Sequence, residues 1–228
     1  VLTVTATAGN KLFTGLVTVG AAGSTTCSTA ATFEYRGGIT VTGAGTFTNS
    51  STGVPSVNFS TNGQTLAGTI RIDNANISSA VNMTINGTFN TTATGTFTGI
   101  AGSNITVGNG GIINWSSTNT LAPPPAALTA SGTNATVNYT AAGVQSIRSV
   151  TYYKLGISGS GVKSLFADPN VANNLTITGG TLRMNNNNLT TNNLTLGSNG
   201  ILDNNPGVPA TCALLVTGAT ALNASSQI

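Results

Sequence analysis

Short segments in which apolar and polar residues alternate recur along the whole chain. Each reads apolar, polar, apolar, with threonine most often in the middle, at residues 39–41, 57–59, 70–72, 83–85, 105–107, 175–177 and 194–196. Because successive side chains of a strand point to opposite faces, this alternation predicts short strands with one buried face and one solvent face.

The spacing of these segments indicates how the strands are arranged. The segments at 83–85 and 105–107, and those at 175–177 and 194–196, start about 20 residues apart, and such a repeat is typical of one solenoid turn. The sequence therefore predicts an all-β fold, a parallel β-solenoid (β-helix) of short turns rich in threonine, asparagine and glycine. The alternative is an antiparallel β-sandwich or a jelly roll like a pilin subunit, since alternation serves both topologies.

Glycine and asparagine separate the strand segments, as at 43–45, 108–111, 179–180 and 198–200. Both residue types tolerate the left-handed backbone conformation of a sharp corner. No apolar stripe with helical spacing persists, so we expect no helix longer than two turns. The asparagine run at 185–188, with Asn192, Asn193, Asn204 and Asn205, predicts amide hydrogen bonds between stacked turns. The alternative is a flexible asparagine-rich loop.

One domain covering residues 1–228 is expected. The segment 122–126 contains three consecutive prolines, and proline cannot sit inside a sheet because it lacks the backbone donor. The segment therefore predicts either a loop leaving the stack or a joint between two solenoid halves. Val1 is interpreted as a processed end, because no basic region followed by an apolar core precedes the first strand segment.

The chain has few charged residues, with Lys+Arg 7, Asp+Glu 4 and no histidine. The cations form no cluster that would bind phosphates, so nucleic acid is not an expected partner. No apolar run reaches the roughly 18 residues of a membrane-spanning helix. Two cysteines without histidine cannot complete a zinc site, so we expect neither a metal nor another cofactor.

The acidic residues are too sparse to predict an enzyme. Glycoside hydrolysis needs two carboxylates about 5 to 9.5 Å apart, and the best pair, Glu34 and Asp73, would lie about two turns or 10 Å apart. Each has a cation two residues away, Arg36 and Arg71, which indicates charge neutralisation. A Ser-His-Asp arrangement is excluded because histidine is absent.

Triplets of the form Asn-X-Ser/Thr occur at roughly twice the frequency that random placement would give. They begin at Asn49, Asn58, Asn76, Asn82, Asn86, Asn90, Asn104, Asn114, Asn134, Asn138, Asn174, Asn188, Asn193 and Asn223. These asparagines are candidate acceptors for N-linked sugars in a secreted glycoprotein. The alternative is that strands written as Asn-apolar-Thr produce the triplets as a by-product.

The two cysteines, Cys27 and Cys212, suit one disulfide in an oxidising compartment. In an extended solenoid they would lie about nine turns, or some 40 Å, apart, whereas a disulfide needs about 4.4 to 6.8 Å between α-carbons. We therefore expect any bond to join neighbouring subunits, and the alternative is two free buried thiols.

A resemblance to a known family covers residues 128–205 most closely. This stretch contains residues 134–139 (NATVNY), 152–165 (YYKLGISGSGVKSL) and 175–182 (LTITGGTL), and it resembles the β-strand repeats of large secreted bacterial surface proteins of the adhesin kind. The resemblance implies a parallel β-solenoid on the cell exterior that serves adhesion or forms fibre material.

The predicted function is that of an extracellular structural protein whose copies assemble end to end into a surface filament. Residues 1–5 and 213–217 are uncharged strand segments without a cap, which favours self-assembly. Surface glycans and host or neighbouring cells are further candidate partners.

Two other functions remain open at this stage. One is a monomeric cell-surface adhesin or carbohydrate-binding fragment, whose stacking platforms would be Trp115, Tyr139, Tyr152 and Tyr153 unless these fill the core. The other is an ice-binding protein, indicated by Thr-X-Thr pairs such as the one at 46–48, although no strict register between turns is evident.

Overall fold

The computed structural model describes residues 2–4, 9–27, 30–50, 57–78, 80–99, 102–118, 127–204 and 212–223. Within these ranges the regular elements are β-strands without any helix, and the strands pair in parallel. The predicted parallel β-solenoid is confirmed, and the antiparallel alternative does not form. The proline segment at 122–126 lies outside the described residues.

Three faces run along the solenoid, and the first, face A, extends from the first described turn to the last. In stacking order, face A contains β1 (Leu2–Val4), β4 (Ser24–Cys27), β7 (Thr46–Asn49), β10 (Thr69–Ile72), β13 (Thr88–Asn90), β16 (Ile112–Trp115), β18 (Thr136–Tyr139), part of β20 (Thr151–Ile157), part of β22 (Asn170–Arg183), part of β23 (Leu189–Asp203) and β25 (Thr220–Leu222).

The other two faces complete each turn. Face B contains β2 (Asn10–Phe13), β5 (Thr32–Tyr35), β8 (Val57–Phe59), β11 (Asn74–Ile77) and β14 (Thr96–Gly99), and β19 (Gln145–Ile147) and β21 (Val162–Leu165) follow face A in later turns. Face C contains β3 (Val17–Val19), β6 (Ile39–Val41), β9 (Gln64–Ala67), β12 (Asn82–Ile85), β15 (Asn104–Val107) and β17 (Ala127–Thr129), and β24 (Leu214–Val216) pairs with the start of β23.

The turns differ in length. Thr136 pairs with Lys154, and Ile39 pairs with Leu66, so one turn uses between 18 and 27 residues. Most of the difference arises at the corners, and the long strands β20, β22 and β23 also contain register shifts, as between Tyr152 and Lys154. In the later turns the predicted corners at 179–180 and 198–200 lie inside the long strands β22 and β23, which continue pairing through the bend.

The core is a stack of apolar side chains from the inner positions of all three faces. The first and third residues of the alternating segments are buried, as for Ile39 and Val41 on face C. Aromatic rings fill the wider places: Tyr35 stacks on Phe13 with the ring centroids 5.0 Å apart, and Phe97 meets Trp115 edge-on at 6.1 Å. Burial of these side chains is the main stabilising contribution.

The asparagine run closes a corner as an amide ladder. Asn186 and Asn204 lie in successive turns and are joined by two hydrogen bonds. The backbone N–H of Asn186 donates to Oδ1 of Asn204, and Nδ2 of Asn204 donates to Oδ1 of Asn186, both at 2.9 Å. Asn185 and Asn186 adopt positive φ angles of 51° and 61°, which asparagine accepts more readily than most residues. Amide hydrogen bonds between stacked turns are confirmed for Asn186 with Asn204 and for Asn193 with Asn174, and Asn205 lies outside the described residues.

Candidate functional site

Outward side chains of face A form a ladder of amides. Asn90, Asn114 and Asn138 occupy equivalent positions in successive turns. The Nδ2 of Asn114 donates to Oδ1 of Asn90, and the Nδ2 of Asn138 donates to Oδ1 of Asn114, both at 2.8 Å. We call these three residues the amide column. It holds neighbouring turns together on the solvent side, as stacked amides do in other parallel sheets.

The amide column stops at a notch. Asn138 pairs in register with Gly156, which has no side chain, and Gly156 pairs with Thr176. Oδ1 of Asn138 lies over Gly156, where a Cβ would stand. A recess of about 340 Å³ borders both residues, and its walls include Thr136, Lys154 and Asn174. This recess, which we call the Gly156 notch, combines amide, hydroxyl and ammonium groups without a carboxylate among its lining residues.

Face C carries a column of threonines. Thr65 pairs with Thr84, Thr84 with Thr106, and Thr106 with Thr129, so their side chains follow one another in strict register on the outside of the solenoid. The Thr-X-Thr pair at 46–48 lies on face A, so the ice-binding hypothesis did not include the threonines of this column. Alternation alone could not reveal the column, because it does not show which segments share a face.

The first described turn exposes apolar side chains and unpaired strand edges. Among the described residues, β1, β2 and β3 each pair with one strand only, in the second turn. Leu12 and Leu16 are 49% and 58% exposed, although both are large apolar residues. Such an edge offers backbone donors and acceptors to another strand.

The last described turn leaves part of the core uncovered. Leu222 continues the inner column of Leu196 and Ile177 but is 55% exposed, whereas those two are 1% and 0% exposed. Leu215 on β24 is also 55% exposed. Residues 212–223 contain no charged residue and no proline, so this turn lacks the usual devices that block strand addition. We call the turn formed by β1, β2 and β3 and the turn formed by residues 212–223 the terminal turns.

Three of the four aromatic residues considered as sugar-stacking platforms belong to the core. Trp115, Tyr139 and Tyr152 are at most 1% exposed. The hydroxyl groups of Tyr139 and Tyr152 lie 3.2 Å apart, and Tyr152 donates to the carbonyl oxygen of Arg148 at 2.8 Å. Only Tyr153 reaches the surface in part, with the Lys154 ammonium 5.9 Å from its ring centroid.

The carboxylates are paired with other side chains instead of with one another. Glu34 accepts hydrogen bonds from Ser60 at 2.6 Å and Arg36 at 2.7 Å, which lower its pKa. Asp73 pairs with Arg71 at 3.1 Å, as the two-residue spacing predicted.

The other two carboxylates bond residues of a neighbouring turn. Asp203 pairs with Arg183 at 3.2 Å, and Asp168 accepts from the backbone and side chain of Asn188. No group of three or more potential metal ligands lies among the described residues. The structure brings no two carboxylates into a shared site in the described part of the chain, and the absence of enzyme activity stays a prediction.

The candidate glycosylation sites fall into three classes of exposure. The exposed asparagines are Asn82, Asn86, Asn134, Asn188 and Asn223. The half-buried asparagines are Asn58, Asn76, Asn90, Asn104, Asn114, Asn138, Asn174 and Asn193. Asn49 is 0% exposed on the inner side of β7, where the folded chain has no room for a sugar. Glycosylation of the others stays a prediction.

The two cysteines are free and far apart. Cys27 lies on β4 and is 1% exposed, and Cys212 precedes β24 in the last described turn. Eight strand-to-strand steps on face A separate β4 from β23, or about 40 Å at the usual strand spacing, which excludes a bond within one chain. A bond between subunits stays a prediction. It would require Cys27 to leave the core.

We expect the two thiols to differ strongly in reactivity. Burial raises the pKa of the Cys27 thiol, and the folded chain shields it, whereas Cys212 is half-buried. A thiol reagent should modify Cys212 in the native protein and Cys27 only after unfolding, as measured by intact mass against time. Equal rates of modification would contradict the buried position of Cys27.

Non-reducing electrophoresis tests the predicted disulfide between subunits. Such a disulfide would give multimers that collapse to the monomer on reduction.

One lysine is buried inside the solenoid. Lys163 on β21 is 0% exposed, and its Nζ donates to the carbonyl oxygens of Ala141 at 2.6 Å and Gly161 at 3.1 Å. It pairs in register with Gln145, another buried polar residue whose amide binds the carbonyl oxygens of Trp115 and Ser117. Desolvation lowers the pKa of Lys163 to about 8.

This lysine predicts that stability rises with pH. An unfolded lysine titrates near 10.4, so between pH 8 and 10 the unfolded state binds a proton that the folded state has released. Relative to the Lys163→Met variant, the free energy of unfolding of the native protein should rise by about 2 kcal/mol from pH 7.5 to 10. Chemical denaturation at several pH values measures this difference.

A control lysine separates this effect from general pH effects. Lys154 is half-buried on the surface, so Lys154→Met should retain the same rise as the native protein. Parallel stability curves for the native protein and Lys163→Met would show that the buried ammonium does not carry the effect.

Comparisons of the chain with protein-family models, with curated proteins and with solved structures give no match. Among the described residues, no helix has the length and apolar character needed to cross a membrane.

Proposed function

We propose that the chain is an extracellular structural subunit whose copies assemble end to end into a surface filament. The observation that supports this most is the uncovered core at the last terminal turn, where Leu222 continues a column that is buried at Leu196 and Ile177 in the two turns below it. Removing apolar surface of this kind from water favours association.

The opposite terminal turn is a suitable partner for this end. It carries the exposed side chains of Leu12 and Leu16 and the unpaired edges of β1, β2 and β3. A second copy placed with the same axis would continue the parallel strands of all three faces. This head-to-tail contact generates an open fibre and not a closed ring, because the two joined surfaces differ.

Several sequence features support an extracellular place. The resemblance to repeats of secreted bacterial surface proteins covers residues 128–205, and the many Asn-X-Ser/Thr triplets would suit a glycosylating secretion route. Because charged residues are few, hydration of the solenoid surface depends on the hydroxyl and amide side chains of its three faces. On this proposal the filament is non-enzymatic and needs no cofactor.

Electron microscopy of the purified chain tests the assembly. Negatively stained preparations should show rods much longer than one subunit, and light scattering after size-exclusion chromatography should show masses at multiples of the 22.6 kDa chain. Particles of one subunit length at every concentration would contradict the proposal. If the chain is part of a longer protein, segments of that protein that cover the terminal turns would also keep the subunits separate.

Monomeric particles would favour one of the two alternatives, each of which has its own supporting observation. A monomeric adhesin or carbohydrate-binding fragment is supported by the polar Gly156 notch. An ice-binding protein is supported by the column of threonines on face C, since regular hydroxyl groups on a flat face could order water.

A further inference from the structure

The Gly156 notch interrupts two ladders of side-chain amides, one from each side. From one side the amide column ends at Asn138, whose Nδ2 donates to Asn114 at 2.8 Å. From the other side Asn193 donates its Nδ2 to Oδ1 of Asn174 at 3.0 Å, and the ladder ends there because Asn174 pairs in register with Lys154. The two ladders therefore end with opposite hydrogen-bonding groups on either side of the turn that contains Lys154 and Gly156, in neighbouring columns of face A.

These terminal groups have no protein partner among the residues that the structure describes. Oδ1 of Asn138 is an acceptor with two lone pairs, and Nδ2 of Asn174 is a donor with two protons. Lys154 donates to Oδ1 of Asn134 at 3.0 Å, which leaves two further protons on the ammonium. The hydroxyl of Thr176 adds a group that can both donate and accept.

The space for a ligand exists because residue 156 is glycine. A Cβ at this position would overlap Oδ1 of Asn138, so any other residue would displace the amide oxygen that the ligand is expected to meet. The volume of about 340 Å³ lies at the lower end of the range for small-molecule sites. It suits one or two sugar rings.

We propose that the Gly156 notch binds the acetamido group of an N-acetylhexosamine in a glycan chain. An amide in the notch replaces the missing side chain of the amide column: its N–H donates to Oδ1 of Asn138, and its carbonyl oxygen accepts from Asn174 Nδ2 or the Thr176 hydroxyl. The hydroxyl groups around the rim and the Lys154 ammonium bind the sugar hydroxyls. This inference does not depend on end-to-end assembly, because the notch lies away from both terminal turns.

The test compares two oligosaccharides that differ only in the acetamido group. Triacetylchitotriose and cellotriose share the same linkage and ring stereochemistry. The protein is produced in a host without N-glycosylation, because Asn138 and Asn174 each begin an Asn-X-Thr triplet and an attached sugar would fill the notch. We expect triacetylchitotriose to bind with a dissociation constant of about 1 mM or below, and cellotriose to bind at least about tenfold more weakly.

Three variants locate the binding site. Gly156→Ala should weaken binding at least about tenfold, and Thr176→Val, which keeps the shape of the side chain, should weaken it about fivefold. The matched control is Gly20→Ala, because a Cβ at Gly20 meets nothing within 4 Å and its φ is not positive. This control should bind like the native protein.

Each outcome decides the proposal. Equal binding of the two sugars would overturn the role of the acetamido group, and the absence of any triacetylchitotriose binding at about 10 mM would overturn the site itself. Binding that persists in both Gly156→Ala and Thr176→Val would place the sugar elsewhere. If Gly156→Ala fails to fold, as judged by circular dichroism, Thr176→Val and Gly20→Ala still carry the test.

Discussion

Replacing Leu222 with lysine is expected to abolish end-to-end assembly while leaving the fold of the subunit intact. Leu222 is 55% exposed in the isolated chain, so a lysine there remains hydrated and costs the monomer little. In the assembled filament the same side chain would have to enter the core column above Leu196. Burial of an unpaired ammonium should weaken each contact by at least about 2 kcal/mol, or roughly thirtyfold in the association constant.

A matched control keeps this result interpretable. Val144 is 65% exposed at a corner between β18 and β19, away from both terminal turns, so Val144→Lys adds the same charge to the body of the solenoid. Its filaments should have the length of native filaments in negative stain and the same sedimentation profile. Filaments of Leu222→Lys that equal those of Val144→Lys would show that this terminal turn does not form the contact.

Much of the fold could be predicted from the sequence because two independent patterns report on it: the apolar–polar alternation within each segment and the spacing between segments. Alternation at 39–41 correctly places Ile39 and Val41 inside and Thr40 outside. The spacing near 20 residues correctly indicates stacked turns, since strands joined within a hairpin would recur at shorter intervals. Together the two patterns specify a parallel solenoid, even though neither does so alone.

The arrangement of the surface could not be predicted, because alternation does not say on which face a segment lies. The segment at 39–41 is on face C and the segment at 175–177 is on face A, although both read apolar-Thr-apolar. Turn length varies from 18 to 27 residues, and the spacing of the segments along the sequence does not show which of them stack on one another. The amide column and the threonine column therefore became visible only in the three-dimensional structure.

Lys163 shows a second limit of sequence analysis. Its strand reads Val-Lys-Ser-Leu, and the structure turns Lys163 and Leu165 inward, leaving Val162 half-buried outside. No rule of alternation selects an inward lysine over an outward one in such a segment. The carbonyl oxygens of Ala141 and Gly161 decide the outcome, because they solvate the ammonium inside the core.

The largest loss of stability from a single methyl group is expected at Gly68. This glycine lies in the corner between β9 and β10 with φ +80°, and a Cβ there would overlap the carbonyl oxygen of Val41 in the turn below. In the turn above, a Cβ built at Gly87 would overlap the backbone nitrogen and oxygen of Gly68. Alanine at 68 therefore forces two stacked turns apart, and the free energy of unfolding should fall by about 3 to 4 kcal/mol.

Gly63→Ala separates the two causes of this loss. Gly63 has nearly the same backbone conformation, with φ +77°, but a Cβ there meets nothing within 4 Å. Its alanine variant carries the left-handed strain alone and should lose only about 1 to 2 kcal/mol. Chemical denaturation of both variants measures the difference, which reports the cost of a methyl group between stacked corners. Equal losses would mean that strain in the backbone, and not close stacking of the turns, requires glycine at this corner.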